Sequence, residues 1–371
     1  MNLIFAPNLQ TGMTVRSIKS LLVAVFSLSI LFSTNIARAQ EHGAEAGHEA
    51  GQEEKFNPKE VIFEHIKDAH EWHVVGDISV PLPVILYTNK GLEVFSSGHF
   101  HHGHEKYQGN HLYGVVDGKI KAYKDETTID EEATASIWDF SITKNVASLL
   151  LSVTVLLLIF VSMGRRYNKA DGFKGPRGIA GFIEPVIVMI QDDVAKPILG
   201  HRHAKYLPFL LTVFFFILIN NLMGLVPFFP GAANLSGNIA FTCTLAIFTF
   251  ILVNVNGNAS YWKHIFWMPG VPVPMKIFLA PIEFIGVFTK PISLMVRLFA
   301  NITAGHVLIL GIVCLIFVLK SLAVAAVVVP FTLALSMIEL LVAFIQAFIF
   351  TLLSTVYISL ATEEHHDNHH H

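Results

Sequence analysis

The chain has 371 residues, of which 53% are hydrophobic and only 14% charged, and its formal net charge is −3. A typical soluble domain carries about 25% charged residues, so the composition argues against a water-soluble globule, and the charge balance gives no sign of a nucleic-acid partner. After position 144 the apolar content falls in blocks of about 20 residues or more, the length of a membrane helix, which predicts a polytopic membrane protein. Cys243 and Cys314 both lie in apolar blocks and read as small packing residues without a disulfide framework.

In chain order, residues 1–39 have the form of a secretory signal peptide. Arg16 and Lys19 precede an apolar stretch, residues 21–33, and Ala37-Arg38-Ala39 fits small-x-small cleavage. An uncleaved anchor is the alternative; either way residues from 40 onward are expected outside the cytoplasm. Residues 40–56, rich in Glu, Gly, Ala and His, read as disordered. Residues 57–140 read as a small α+β extracytoplasmic segment, with a short helix over 61–73. Strands are expected over 72–80, 83–87 and 92–95, and a hairpin over 113–123 around Asp117-Gly118. Histidines crowd this segment, and His99, His101, His102 and His104 are weak candidate ligands for a transition metal. A solvated polar loop is the plainer reading.

Three spans follow, at about 146–163, 207–228 and 235–255. The loop 164–206 between the first two holds eight Lys or Arg, so the positive-inside rule places it in the cytoplasm, in agreement with the signal peptide. Within it, residues 179–199 read as an amphipathic interfacial helix with Asp192 and Asp193 on the wet side. Asn220 and Asn221 lie deep in the second span, where interhelical hydrogen bonding is the first explanation. Residues 292–319 and 321–360 would make helices of ~42 Å and ~60 Å, too long for a hydrocarbon core of ~30 Å. The expectation is an all-α membrane domain over 141–364 of about five helices. The last two would form a long, tilted hairpin turning at Lys320, with a possible kink at Pro330, and a cytoplasmic tail would follow over 365–371.

The polar residues of that hairpin carry the functional argument. Arg297 sits in an apolar run, and an arginine at the bilayer centre costs ~2.5 kcal/mol or more, so such a residue usually has a partner or faces water. At 100° per residue Asn301 shares its face, as does Glu283 if the helix survives Pro291; His306 is near the opposite face. Glu339 and Gln346, seven apart, share a face of the other helix. A buried ion pair or simple interhelical packing would be the structural explanation for His306, Glu339 and Gln346.

The stretch Pro291-Ile-Ser-Leu-Met-Val-Arg297-Leu-Phe-Ala-Asn301-Ile-Thr-Ala-Gly-His306 resembles the signature of subunit a of the F-type ATP synthases. So does the block running from Glu339 through Gln346 to Tyr357. The resemblance covers roughly residues 140–364 and leaves out the first hundred or so. It implies a proton-conducting stator subunit whose hairpin hugs a rotor ring. Arg297 would take the place of the essential arginine, Asn301 and Gln346 those of its polar neighbours, and Glu283 that of an acid at the cytoplasmic exit. His306 and Glu339 would take the inlet positions, in the reverse of the order that many bacterial relatives carry. Arginine suits a barrier between two offset half-channels, because it stays protonated and cannot relay a proton, yet it holds a passing carboxylate ionised. The implied partners are the ring of c subunits, the peripheral-stalk b subunits, the rest of the complex and the lipid bilayer, at a bacterial inner membrane. No cofactor is implied, and no phosphate-binding glycine loop is present, so catalysis would lie elsewhere in the complex. The rival readings are a standalone channel or secondary transporter, and a membrane-anchored metal-binding protein.

Overall fold

The structure, a computed structural model, describes residues 58–59, 62, 67–75, 78–103, 105–116, 118–169, 178–226, 233–268 and 270–363. The expected signal peptide, the segment 40–56 and the tail 365–371 lie outside the described residues, as do residues 61 and 63–66; the helix expected over 61–73 is corrected in its second half, where 67–70 are not helical and 71–73 lie in a strand.

The amino-terminal part is built from short antiparallel strands. Strands β1 (Glu71–Val75) and β2 (Ile78–Pro81) pair with each other. This corrects the single strand expected over 72–80, which is two antiparallel strands with Trp72 opposite Val80 and Val75 opposite Ile78. Strands β3 (Pro83–Thr88) and β4 (Gly91–Ser96) form the second hairpin, as the sequence predicts. Strands β5 (Tyr107–Gln108), β6 (Leu112–Val116) and β7 (Lys119–Tyr123) make a further sheet in that order, with Gly118 at positive φ in the β6–β7 turn. A five-residue helix, α1 (Glu131–Ala135), is capped by the Asp130 side chain. Strand β8 (Trp138–Asp139) then joins the edge of β3, giving the order β4-β3-β8.

The core of this part is Val84, Leu86, Phe95, Phe100, Tyr113 and Ile120. Phe95 stacks on Tyr107 with ring centroids 4.2 Å apart. Glu93 ties the sheets together by accepting the Tyr113 hydroxyl at 3.0 Å and the Asn110 amide. Burial, reinforced by that carboxylate, pushes the Tyr113 phenol well above its ordinary range. His99 and the backbone of His101 and His102 belong to a 3-10 turn, Ser97–Gly103, and the His99 ring lies 5.0 Å from that of Tyr107. His104 lies outside the described residues, among which no group of three metal-ligating side chains occurs.

The remainder is helical. Helix α2 (Lys144–Lys169) covers the first expected span. Helix α3 (Ile179–Met189), a π-turn segment Ile190–Ala195 and helix α4 (Lys196–Leu199) fill the expected interfacial stretch, with Asp192 and Asp193 exposed. Helix α5 (His203–Leu225) follows. A 3-10 turn, Leu235–Gly237, precedes α6 (Ile239–Val255), which is capped by the Asn238 side chain. Helix α6 has 17 residues, fewer than the span expected over 235–255, because the chain turns at Asn234 and Asn238, whose side chains satisfy local backbone N–H groups. Helix α7 (Ala259–Phe266) then departs at 102° from α6.

Helices α8 (Val273–Leu319) and α9 (Leu322–Thr362) form the hairpin. The turn is at Lys320, whose φ of 45° is left-handed. Helix α8 starts at Val273 and has 47 residues, so it is far longer than the stretch 292–319 expected from the sequence. Pro281 and Pro291 are absorbed within it, since each removes only one N–H, and in an apolar setting broken backbone would leave more groups unpaired. At 1.5 Å per residue α8 is ~70 Å long, which fits a bilayer only if it is strongly inclined. Among the described residues four helices are long and apolar enough to cross a membrane, or five if α6 and α7 make one bent span.

The helical core sets Phe214, Phe215 and Ile217 of α5 against Leu294, Leu298 and Ile302 of α8 and Ala347 and Phe350 of α9. On α9 the buried positions recur at helical spacing and are mostly small or polar: Glu339, Ala343, Gln346, Ala347, Thr351, Ser354 and Thr355. Cys243 and Cys314 are free, and Cys314 is buried.

Candidate functional site

Helices α8 and α9 run antiparallel, and their register decides which polar groups meet. One contact is a hydrogen bond from Gln346 Nε2 to the backbone carbonyl of Arg297, at 2.8 Å. Gln346 is 3% exposed, so this bond is well shielded. The resemblance makes Gln346 a polar neighbour of Arg297, and the bond it makes is to the backbone carbonyl rather than to the guanidinium. A helical carbonyl already bonded along its own axis retains a second lone pair, which a side-chain amide from a neighbouring helix can reach. Among the described residues the Arg297 guanidinium makes no hydrogen bond or ion pair, and the side chain is half-buried.

The second contact lies about two turns further along α8. A Cβ built on Gly305 would stand 2.6 Å from Glu339 Oε1, so the carboxylate rests directly on the glycine's backbone. Any side chain at 305 would displace it. Glu339 is 7% exposed and sits beside the residue that precedes His306. The structure thus brings the Glu339 side chain against the residue before His306. Asn301 is exposed on α8.

A third set of polar groups reaches the same face of α9 from α5. Asn221 donates from Nδ2 to the Ala343 carbonyl at 3.1 Å, and accepts the Ser236 hydroxyl at 2.5 Å. Ala343 is one turn beyond Glu339, so Ser236, Asn221 and Glu339 line one buried seam between the 3-10 turn, α5 and α9. Asn221 makes the interhelical bond that the sequence predicts. Asn220 instead donates to Phe216 O of its own helix at 2.7 Å, and its Oδ1, though buried, has no partner among the described residues.

Glu283 lies at the other end of α8, three and a half turns or more from Arg297, within electrostatic reach of Tyr261 on α7. Because α8 continues through Pro291, Glu283, Lys290 and Arg297 recur every seven residues on one face. Lys290 sits 5.7 Å from the Tyr357 ring centroid and lines a cavity of ≈ 10 Å³, about the size of one water, with Asn254, Tyr261, Val287, Leu294 and Tyr357. This cavity lies between Glu283 and Arg297 along the helix.

Ser236, Gly305 and Tyr261 are the residues that sequence reasoning did not single out. Ser236 and Tyr261 carry no periodic signal, and their relevance appears only when the 3-10 turn and α7 fold beside α5 and α8. Gly305 stands inside the signature stretch, but its role depends on what faces it from α9.

Residues 146–359 match the family model for the ATP synthase A chain, and residues 61–140 match a domain of unknown function. Among curated relatives, the chain is 44% identical over 240 residues to ATP synthase subunit a of Chloroherpeton thalassium, covering 63% of this chain and 71% of the relative. It is 40% identical over 277 residues to ATP synthase subunit a of Pelodictyon phaeoclathratiforme, covering 72% and 80% respectively. A longer alignment, 34% identical over 347 residues, relates it to ATP synthase subunit a of an Anaeromyxobacter strain and covers 89% and 76%. With the family model matching more than half of the chain and these relatives at 34–44% identity, the chain belongs to the ATP synthase subunit a family and is a multi-pass membrane protein.

Proposed function

We propose that the chain is the proton-conducting stator subunit of an F-type ATP synthase. It couples proton flow to rotation of a ring of c subunits, and the chemistry of ATP synthesis occurs on other subunits. The observation that carries this reading is Arg297: a permanently charged residue on a long inclined helix, held by Gln346 through its backbone, with its guanidinium left unpaired among the described residues. A carboxylate arriving on the rotor would be attracted to it and kept ionised. A proton cannot cross the guanidinium, so it must enter and leave by separate paths.

The inlet path takes the seam Ser236, Asn221, Glu339 and the neighbouring His306. The exit path takes Glu283 and the small cavity at Lys290 and Tyr261. Gln346 sets the position of the arginine's helix turn, and Asn301 stands exposed one turn further along α8. Apolar residues stay exposed on both hairpin helices, among them Val296, Leu308, Met337 and Leu341, as a surface against a ring or lipid requires. In this reading residues 1–39 are a signal peptide and 40–140 lie outside the cytoplasm. The loop between α2 and α5 and the carboxyl terminus then lie inside, where the b subunits reach the rest of the complex.

The test is ATP-driven acidification of inverted membrane vesicles carrying the whole complex. Arg297→Ala is expected to abolish pumping while the subunits still co-purify. Normal pumping by a fully assembled Arg297→Ala complex would reduce Arg297 to a structural role and overturn the reading.

A further inference from the structure

The β4-β3-β8 sheet has one face in the core and one that no described residue covers. Cross-strand pairing places Leu92, Tyr87 and Trp138 in one row, because Tyr87 pairs with both Leu92 and Trp138. The next row is Val94, Ile85 and Phe140: Val94 pairs with Ile85, and the Phe140 amide donates to the Ile85 carbonyl at 2.9 Å. Six apolar side chains therefore form a block of two rows across three strands, with no charge among them. Leu92 is 65% exposed, Val94 61%, Trp138 66% and Phe140 61%. The Trp138 and Phe140 rings stack with centroids 6.5 Å apart. A contiguous, exposed apolar patch of this kind on a strand-built segment marks a contact surface rather than a random excess.

The position of the patch identifies what it touches. Helix α2 begins at Lys144, only four residues beyond Phe140, a distance of no more than ~14 Å even in extended chain. The junction is not a loose linker. Ile142 N donates to Pro83 O at 3.1 Å and Lys144 N to Ala69 O at 2.8 Å. Asp68 Oδ1 accepts the Asn145 amide at 3.1 Å, and Ser141 Oγ accepts the Ile85 amide at 3.1 Å. Lys144 and Asn145 are themselves buried in the junction. The apolar window of α2 spans Lys144–Arg165, whose ~33 Å rise nearly equals the hydrocarbon thickness. The first turn of α2 therefore stands at the edge of the hydrocarbon, with the sheet hydrogen-bonded to it. Exposed apolar residues lie on both sides of this buried junction, Val146, Leu150 and Leu158 on α2 and Phe140 and Trp138 on the sheet.

We propose that this sheet face is a membrane-interface anchor: Trp138, Phe140, Tyr87, Leu92 and Val94 lie in the headgroup and upper acyl region of the leaflet at which α2 begins. Tryptophan and tyrosine are the side chains most favoured at that depth, with an apolar body and one polar atom. The occupant is phospholipid, and the lipid-covered surface of α2 extends onto the sheet. The anchor fixes the tilt of α2 and so gives the segment matching a domain of unknown function a role that needs no partner protein.

Trp138 itself reports on this. The chain has four tryptophans, and Trp72 is 4% exposed. In the purified complex reconstituted into phosphatidylcholine vesicles, the Trp138 signal is the difference between native and Trp138→Phe samples. Lipid brominated near the carboxyl end of its acyl chains is expected to quench that difference about two-fold or more, whereas aqueous iodide leaves it nearly unchanged. A second reporter, Val94→Trp in the Trp138→Phe background, samples the opposite edge of the face and is expected to behave alike. Trp138 quenched by iodide and not by brominated lipid would show a face in water. Protection from both quenchers would show a protein partner. Either result overturns the proposal.

Discussion

Along α9 the inward stripe runs Glu339, Ala343, Gln346, Thr351, Ser354 and Thr355, while the outward positions carry Met337, Leu340 and Leu341. Across the β4-β3-β8 sheet both faces are apolar, Val84 and Leu86 facing in and Tyr87, Leu92 and Trp138 facing out. The two regions answer to different surroundings. A helix in lipid gains nothing by hiding leucine, so its interior is chosen for close approach and for polar groups that satisfy one another. A sheet beside the bilayer has one face that must build a core and another that meets neither bulk water nor protein. The polarity of a surface here records what lies outside it, not how deep it is.

This contrast can be broken at defined points. The largest effect is expected where backbone and carboxylate touch. In Gly305→Ala the new Cβ collides with Glu339 Oε1, an overpacking strain of ~1–3 kcal/mol. ATP-driven proton pumping in vesicles should drop ~10-fold, the equivalent of ~1.4 kcal/mol. Adding Glu339→Asp shortens the acid by one methylene and should recover part of the loss; purely additive effects would show that the two sites do not touch.

The next effect separates two adjacent asparagines. Asn221→Leu removes the donor to Ala343 O and the acceptor of Ser236, and leaves buried groups unpaired at ~1–3 kcal/mol. Asn220→Leu loses only a bond within its own helix and should cost less. Thermal unfolding of the detergent-solubilised complex measures both, and equal midpoints would contradict the seam.

At the junction between sheet and helix, Asp68→Ala deprives the first turn of α2 of an acceptor, a loss of about 1 kcal/mol, comparable to that of an N-cap. Limited proteolysis between residues 124 and 144 should accelerate while the β6–β7 hairpin stays protected.

The smallest effect depends on pH. Burial alone would raise the pKa of Asp139, but hydrogen bonds from His70 and Ser141 outweigh it and hold the carboxyl below its ordinary range. The folded value lies below the unfolded one, so ionised Asp139 contributes stability that is complete above the ordinary carboxylate pKa of ~3.9. That contribution drains away as pH falls through the lower folded value. The rate of proteolysis at the junction should therefore rise on acidification below pH ~4, and Asp139→Asn should flatten the profile.

Much of this molecule is decided locally and can be read from the chain itself. Long apolar blocks require helices, because lipid offers backbone groups no other partner. The blocks flanking Lys320 are too long to stand upright, and their lengths alone imply an inclined hairpin. A lone Arg297 in such a block marks a functional position, because its burial is too costly to be incidental. Strand alternation and turn residues gave the β3–β4 and β6–β7 hairpins. Other features depend on register between elements far apart in sequence. Periodicity assigns Gln346 and Glu339 to one face of α9, but only the offset between α8 and α9 brings Gln346 to a carbonyl and Glu339 onto Gly305. Nothing local distinguishes Ser236 from any surface serine until the 3-10 turn folds against Asn221. The apolar face of the sheet likewise exists only once β8 crosses from beyond α1 to pair with β3, since its six residues come from three separate stretches of chain. Side-chain period is a property of one element, whereas register and strand order are set by the packing of all of them together.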